Sequence, residues 1–269
     1  MTDTPETISL TFSDQGENNV GMQLVGKIVE RGQGFRVSEL KKYQDYFKKQ
    51  DLVSEFHNLN KLYSRQKPPG IVSRAAVLVV RDALSYFLDD NKTTEDLMEE
   101  MTSFEWDRKY FCTRRKKVLN KNARANVCFG EESQDPDYEN KKGTIIGYDK
   151  VPILNNIRKK LPEVLGEKGE NLVCEGNRYF DLKKCGIGWH GDKERRKVVA
   201  FRIGETMKLC YHWHYRFKPV GELLEINLND GDMYIMSEKA VGTDWNISSK
   251  YTLRHSAGVE NSKYLKLKN

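Results

Sequence analysis

The strongest constraint on the fold of this chain is a series of eight short, strand-like segments that begins at Asn171. Each segment is rich in apolar and aromatic residues, and turn signals such as Gly204 and the stretches 218–221 and 229–231 separate several of them. The segments cover 171–179, 186–190, 197–203, 207–215, 223–227, 232–236, 250–255 and 264–268. Eight short strands with regular turns favour a double-sheet β-sandwich, of which the jelly roll is a common form.

The chain before these segments is predicted to be mainly helical. Residues 1–35 are polar and predict a loosely attached arm with one short strand at 8–12. Leu40, Tyr43 and Phe47 recur at helical spacing, which predicts a helix within 37–62 that the motif KPPG at 67–70 ends. Further helices are expected over 73–87, 94–101 and 149–165. We therefore expect an α+β protein in which residues 1–105 form an N-terminal arm and helical extension and residues 106–269 contain the β core.

Composition limits the class and the location of the protein. With 269 residues, 38% hydrophobic and 31% charged, the chain is long enough and polar enough for a globular protein. No window approaches the roughly 18 consecutive apolar residues of a membrane helix, and the N-terminus lacks the pattern of a signal peptide. The five cysteines are never spaced as C-x-x-C, which indicates free thiols in a reducing compartment. We expect an intracellular monomer, cytoplasmic or nuclear, without a membrane partner.

One stretch of the sequence is both basic and aromatic. Its cations are Arg108, Lys109, Arg114, Arg115, Lys116, Lys117, Lys121 and Arg124, and Trp106, Tyr110 and Phe111 lie among them. Such a stretch can follow a phosphate backbone while its rings stack on bases. It is equally compatible with a solvated face of a basic protein.

The stretch CGIGWHGDKERRKVVAF contains a His-x-Asp pair, His190 and Asp192. Side chains two residues apart in a strand point to the same face, so the pair can supply two ligands to one metal ion. A third ligand must come from the strand-rich half, where His212, His214 and His255 are available. We favour His255, because in a jelly roll the strand that faces the pair across the pocket comes several connections later. His212 and His214 are then expected to be surface or substrate-lining histidines.

Several motifs carry a family resemblance. The string NRYFDLKKCGIGWHGDKE resembles the core of the AlkB-like Fe(II)/2-oxoglutarate-dependent dioxygenases. The stretches GDMYIMSEKA and KYTLRHSAG are similar to that family's later strands and distal histidine, and ANVCFGEE and YDKVPILNNIRKKLPE resemble its approach to the core. The likeness covers roughly residues 115–268. It implies that residues 106–269 are an AlkB-like domain with a double-stranded β-helix, or jelly-roll, core.

The resemblance also implies roles for individual residues. Iron(II) would be held by His190, Asp192 and His255, and 2-oxoglutarate would be bound by Asn177 and Tyr179. Glu194 would read the exocyclic group of a flipped base, and Trp189 would support the packing. In the sequence ERRK at 194–197, Arg195 would face phosphate, as would Arg114 and Arg115 in the basic stretch.

The expected activity is oxidative demethylation or hydroxylation of alkylated bases in nucleic acid, as in repair, with molecular oxygen as a substrate. The base would be reached in single-stranded DNA or RNA or flipped out of a duplex. Two alternatives stay open. The first is the same chemistry on a protein or small-molecule substrate, and the second is a catalytically silent jelly-roll binding module.

Two departures from the family pattern affect the site. The insertion VGTDWNISS at 241–249 separates the two C-terminal motifs, and no arginine follows His255 to clamp the carboxylates of 2-oxoglutarate. A lysine can supply a point charge where an arginine would bind in bidentate fashion. Lys266 has the spacing that the resemblance to lysine-using oxygenases implies, and Lys268 lies on the same expected strand face.

Overall fold

The computed structural model describes residues 4–63 and 73–267 as a mixed α and β structure dominated by antiparallel sheets. The strands are β1 (Thr7–Ser13), β2 (Gln15–Glu17), β3 (Leu24–Gly26), β4 (Ser54–Asn58), β5 (Ala76–Val80), β6 (Lys109–Cys112), β7 (Lys117–Asn120), β8 (Ala125–Gly130), β9 (Ile145–Gly147), β10 (Val173–Tyr179), β11 (Ile187–His190), β12 (Val198–Gly204), β13 (Met207–Tyr215), β14 (Lys218–Leu228), β15 (Met233–Met236) and β16 (Thr252–Gly258). The helices are α1 (Val37–Lys49), α2 (Leu84–Phe87), α3 (Thr94–Thr102), α4 (Pro152–Leu165) and α5 (Glu238–Val241).

An eight-stranded sheet with the order β4-β5-β15-β12-β1-β10-β8-β9 forms the larger layer. The N-terminal strand β1 lies near its middle and pairs antiparallel with both β10 and β12. The sequence TISLTFS alternates strictly, so Ile8, Leu10 and Phe12 enter the core on one face of the sheet. The hydroxyl-bearing residues of the same strand therefore occupy the other face.

A four-stranded sheet with the order β11-β16-β13-β14 forms the second layer. Tyr211 and Trp213 of β13 pack with Ala200 of β12 and Tyr234 of β15, so the inner faces of the two sheets meet in a shared core. The helices α1 and α4 contribute to a separate core on the other face of the larger sheet. The space between the two sheets thus combines apolar packing with the polar side chains of β1 and β10.

The helices form where the sequence provides periodic apolar residues and suitable ends. Leu40, Tyr43 and Phe47 are the buried residues of α1, as their spacing predicts. Pro152 occupies the first turn of α4, where its missing N–H costs no hydrogen bond. The longest helix in residues 4–63 and 73–267 is α4, with 14 residues, and no helix there has the length and apolarity needed to cross a membrane.

The N-terminal third differs from the sequence expectation. The expected helix over 73–87 contains the strand β5 and the four-residue helix α2, and the expected helix over 37–62 ends at Lys49 before β4 begins. The sequence AVLVV of β5 is buried throughout between β4 and β15, and a continuous apolar run carries no period that separates a buried strand from a buried helix.

The expected division of the chain at residue 105 does not match the sheet. Strands β1, β4 and β5 lie in the same sheet as β8, β10, β12 and β15. The strand predicted at 8–12 is confirmed as part of β1, but it is fully buried rather than part of a loose arm. A central strand cannot detach from its two neighbours without breaking both ladders of hydrogen bonds.

Seven of the eight predicted segments contain a strand, and their limits agree with β10 to β16 within a few residues except at the start of β14. That strand begins at Lys218, so the stretch 218–221, predicted as a turn, belongs to it. The segment without a strand is the last one, because residues 264–267 form turn and irregular structure. Residue 268 lies outside the described residues, as does the predicted KPPG break at 67–70. All five cysteines are free thiols, as their scattered spacing predicts.

Candidate metal centre

Three residues with metal-binding side chains converge between the two sheets. His190 ends β11, Asp192 follows two residues later, and His255 lies in the neighbouring strand β16 as the direct partner of His190. One ligand atom from each residue lies within 4.8 Å of the others. The Nε2 atoms of His190 and His255 are 3.4 Å and 3.6 Å from the same oxygen, Oδ1 of Asp192. The choice of His255 over His212 and His214 therefore agrees with the geometry.

The backbone around Gly191 fixes the position of this cluster. The pairing register of β11 with β16 shifts between Ile187 and His190, as at a β-bulge, and such a shift re-aims the side chain at the strand end. A Cβ atom at Gly191 would overlap the carbonyl oxygen of Gly242, so only glycine allows this close approach. The Asp192 amide also donates to the Val241 carbonyl at 3.0 Å. Sequence reasoning did not single out Gly191, although a glycine between two candidate ligands was an available signal.

Hydrogen bonding prepares His190 as a ligand. Its Nδ1 lies 2.7 Å from the carbonyl oxygen of Gly188, which can only accept a hydrogen bond. A proton on Nδ1 leaves the lone pair of Nε2 free and pointed at the cluster. His255 Nδ1 is buried and has no hydrogen-bond partner among the residues that the structure describes.

The charges of the three groups are those of a metal-binding set. Burial alone would raise the pKa of Asp192, but the charge of Arg195 lowers it well below its usual range. Burial, reinforced by His190, lowers the pKa of His255. At neutral pH the cluster therefore offers the carboxylate of Asp192 and the neutral imidazole of His255. With His190 they make up the residue types of a facial two-histidine, one-carboxylate iron site.

Arg195 is part of the support of this cluster. It is 4% exposed, forms a short ion pair with Glu175, and places Nη2 2.6 Å from Glu194 Oε1. Its Nε is 3.7 Å from Oδ2 of Asp192. These carboxylates pair with the guanidinium inside the protein. The expectation that Arg195 faces a phosphate is therefore wrong. Glu194 is mostly buried beside Asp192, and burial raises its pKa.

Asn177 and Tyr179 both lie on the face of β10 that is turned toward the four-stranded sheet. The side-chain oxygen of Asn177 accepts hydrogen bonds from Arg124 Nε at 2.6 Å and from the side-chain amide of Asn126. The Nδ2 of Asn177 donates to Glu175 at 3.0 Å. Tyr179 is 4% exposed. The structure thus brings both predicted residues to the space between the sheets, and Glu175 and Arg195 connect Asn177 to Asp192.

Lys266 does not reach this space, contrary to the expectation from the sequence. Lys266 is exposed and follows Leu265, whose carbonyl accepts a hydrogen bond of 3.2 Å from Trp189 Nε1. The Trp189 ring in turn packs against His212, on the outer face of the four-stranded sheet. Without a final strand, nothing directs Lys266 between the sheets. Lys268 lies outside the described residues.

The basic and aromatic stretch divides into an exposed part and a buried part. Arg114 and Arg115 lie at the exposed turn of the β6–β7 hairpin and line an open groove of about 610 Å³ with Tyr110. Trp106, by contrast, is 8% exposed and donates to the Met101 carbonyl. Lys121 is buried and bonds to Asn18, and burial lowers its pKa to about 8. The hairpin is therefore the part of this stretch that remains available to a ligand.

The described part of the chain is thus a strand-rich α and β protein with a candidate metal centre between two sheets. It is 41% identical over 261 residues to "Uncharacterized protein R156" of Acanthamoeba polyphaga mimivirus, and the match covers 97% of this chain and 98% of that protein. The chain belongs to the same protein family as R156. No family model matches it.

Proposed function

We propose that this protein is an Fe(II)/2-oxoglutarate-dependent dioxygenase with an AlkB-like, jelly-roll core. The observation that carries the proposal is the convergence of His190, Asp192 and His255 within 4.8 Å. The two histidines come from adjacent strands of the smaller sheet, and that sheet packs against a larger antiparallel one. This arrangement supports a double-stranded β-helix as the core.

The residues present fit iron(II). His190, Asp192 and His255 would hold the ion, which with 2-oxoglutarate and molecular oxygen supplies oxidising chemistry for hydroxylation of a substrate C–H bond. The protein contributes the surroundings. The Gly188 carbonyl fixes the His190 tautomer, Arg195 keeps Asp192 ionised, and the packed rings of β13 limit access of water. Asn177 and Tyr179 face the same space.

The proposed substrate is an alkylated base in a nucleic acid. The exposed cations Arg114 and Arg115 at the hairpin turn, with Arg108 and Lys109 exposed near its base, support contact with phosphates. A base must be single-stranded or flipped from its stack to reach a site between two sheets. Hydroxylation of an N-methyl group on such a base would release formaldehyde and restore the base.

Iron-dependent succinate production tests this proposal. The purified protein would be supplied with iron(II), ascorbate and 2-oxoglutarate, with methylated single- and double-stranded oligonucleotides and their unmodified counterparts. We expect succinate release that methylated oligonucleotides stimulate and that His255→Ala abolishes. His212→Ala is the matched control, because His212 lies on the other face of the same sheet and should keep full activity.

A second substrate class is favoured by one observation. Arg195, Lys121 and Trp106 point into the protein, so the free basic and aromatic side chains are fewer than the sequence suggests. Succinate release that is insensitive to every oligonucleotide would favour a protein or small-molecule substrate. Absence of succinate under all conditions, with intact fold, would favour a silent binding module and contradict the enzyme proposal.

A further inference from the structure

Arg202 is a buried arginine on the inner face of the larger sheet. It follows Ala200 by two residues in β12, and Ala200 packs in the core between the two sheets. The intervening Phe201 enters the core on the other face. Strand alternation therefore points the Arg202 side chain toward the four-stranded sheet, where the residue is 1% exposed.

The guanidinium of Arg202 lacks the partners that a buried cation needs. Its Nη1 is 3.6 Å from the sulfur of Met207, a weak acceptor, and its Nε has no hydrogen-bond partner in the described part of the chain. No carboxylate in residues 4–63 and 73–267 forms a salt bridge with it, whereas nearby Arg195 contacts three. A buried charge without a partner costs several kcal/mol, so this group needs an anion from outside the chain.

The surroundings of Arg202 offer further donors. Ser9 lies beside it as its direct partner in β1, and the Ser9 hydroxyl bonds to the phenol of Tyr234. Tyr234 is the direct partner of Ala200 in β15 and packs with it between the sheets, so its side chain lies on the same face as Arg202. The hydroxyl of Tyr211 is buried and has no hydrogen-bond partner among residues 4–63 and 73–267, and the ring of Tyr211 is 5.9 Å from that of His255.

Strand geometry sets the separation of Arg202 from the metal centre. Ala257 is the next inner-face residue after His255 on β16, and it packs with Tyr179 and Met207. Met207 contacts the guanidinium, and the Tyr179 ring centre is 5.9 Å from it. Same-face neighbours in a strand are about 6.7 Å apart, so the guanidinium lies roughly one such step from His255 between the two sheets.

We propose that Arg202 binds the far carboxylate of a small 2-oxo dicarboxylate such as 2-oxoglutarate, whose oxo-acid end is directed at His190, Asp192 and His255. This inference rests on the proposed function and assigns the co-substrate clamp to β12 instead of Lys266. A guanidinium binds a carboxylate through two parallel hydrogen bonds, and the Ser9 and Tyr234 hydroxyls can complete the site. A 2-oxo acid with no second carboxylate would leave Arg202 without a counter-charge, so the site should discriminate against it.

Calorimetry on the full chain separates this inference from the proposed function. Titration of Mn(II), which accepts the same ligands without redox chemistry, reports on the three-residue centre alone. Titration of succinate onto metal-free protein reports on Arg202 alone, and titration of 2-oxoglutarate onto the Mn(II)-loaded protein reports on both. Arg202→Met and Arg202→Lys are the test variants, and Lys266→Met is the matched control.

We expect Arg202→Met to weaken 2-oxoglutarate binding at least about 30-fold, because one partner of a buried charge pair is removed. Mn(II) affinity should stay within about twofold. Arg202→Lys, which keeps the charge but not the planar fork, should lose less. Lys266→Met should bind 2-oxoglutarate as the unmodified protein does, and 2-oxobutyrate should bind the unmodified protein and Arg202→Met equally weakly.

The stability of the metal-free variants provides an independent readout. Since Arg202 has no salt-bridge partner among the described residues, Arg202→Met should unfold at the same temperature as the unmodified protein or higher, and only the unmodified protein should gain stability from succinate. A strongly destabilised Arg202→Met would indicate a structural role and overturn the inference.

Other outcomes assign failure to one proposal or the other. Unchanged 2-oxoglutarate binding in Arg202→Met, or its loss in Lys266→Met, would overturn the assignment of Arg202. Mn(II) binding without any dicarboxylate binding would overturn it too, while leaving the metal centre intact. Dicarboxylate binding through Arg202 in a protein that binds no Mn(II) would support the inference and contradict the proposed function.

Discussion

Two pairs of side chains on the four-stranded sheet have the same spacing in sequence and different surroundings. His190 and Asp192 meet His255 on the inner face, where two imidazole nitrogens approach one carboxylate oxygen. His212 and His214 lie on the outer face, with ring centres 5.5 Å apart and each about 6 Å from the Trp189 ring. The two-residue repeat of a strand determines which face of the sheet each pair occupies. The chemistry of the pair depends on the other residues that it contacts on that face.

The charges near the two pairs have opposite signs. Asp192 provides a negative charge to the inner cluster, whereas the cation nearest the outer pair is Arg254, the strand partner of His212. Burial, reinforced by the charge of Arg254, lowers the pKa of His214 to about 4. Both outer histidines are 4% exposed, so they are core residues and not the surface or substrate-lining residues that the sequence suggested. Among the described residues, the outer pair has no carboxylate comparable to Asp192 to offset the nearby arginine, so it is a poor site for a metal cation.

The largest expected effect is the loss of metal binding when the inner cluster loses a histidine. His255→Ala should weaken Mn(II) or iron(II) binding by more than about 100-fold, because changes to residues that merely support a ligand already cost 10- to 100-fold. Isothermal titration would measure the affinity. His212→Ala should leave the metal affinity unchanged. An equal loss of affinity in both variants would contradict the claim that the metal binds at the inner cluster and not at the outer pair.

Removal of the carboxylate should make the inner cluster resemble the outer pair. Asp192→Asn keeps a potential oxygen ligand but loses the negative charge, so we expect metal affinity to fall by roughly 10- to 100-fold. Arg195 should stay in place, since Glu175 and Glu194 still pair with it. Metal affinity equal to that of the unmodified protein would contradict a role for Asp192 as a ligand.

The outer pair should control the stability of the protein in acid. The pKa of His214 is about 4 in the folded protein and 6.5 in the unfolded chain. The unfolded state therefore binds more protons than the folded state as the pH falls below 6.5. At pH 4.5 this difference removes about 2 kcal/mol from the free energy of unfolding. His214→Gln, which keeps a donor for the His212 carbonyl, should show a correspondingly smaller loss between pH 7 and 4.5.

Chemical denaturation at several pH values would measure that difference. A curve for His214→Gln that parallels the unmodified protein across the whole range would show that His214 titrates normally. The same pH series on His57→Gln provides a comparison, because burial also lowers the pKa of His57 in the edge strand β4.

The smallest expected effect concerns Arg254. Because burial is the main cause of the low pKa of His214 and Arg254 the second, Arg254→Gln should raise that pKa while leaving it below 6.5. An NMR titration of the His214 ring would measure it. A pKa that falls in the variant would mean that Arg254 does not act on the outer pair through its charge.

The sequence was most informative where its patterns were local. Strands β10 to β16 alternate or are bounded by turn residues, and His190 and Asp192 needed only strand period to share a face. The sequence was least informative where tertiary pairing decides. The run AVLVV has no hydrophobic period that would distinguish a strand from a helix. The polar residues that flank β1 in sequence gave no sign that β1 would pair with a strand on each side.

The candidate site shows the same limit. His255 could be chosen because strand order in a jelly roll brings distant strands together. Arg202 was overlooked because it stands in the strand VVAFRIG and not after His255, although a lone arginine within an otherwise apolar strand was the available signal. Its burial without a partner becomes visible only when both sheets are in place.

The central position of β1 also determines the order in which the protein can fold. The Thr7 hydroxyl donates to the Ile203 carbonyl across 196 residues of chain, so β1 cannot complete its pairing until a long stretch of later chain has been made. Until then β1 lacks both of its neighbours, β10 and β12, and its apolar face stays exposed. Such distant pairing slows folding and favours aggregation of incomplete chains. We expect a slow final phase in refolding, and a chaperone that shields the waiting edges during synthesis would raise the yield of folded protein.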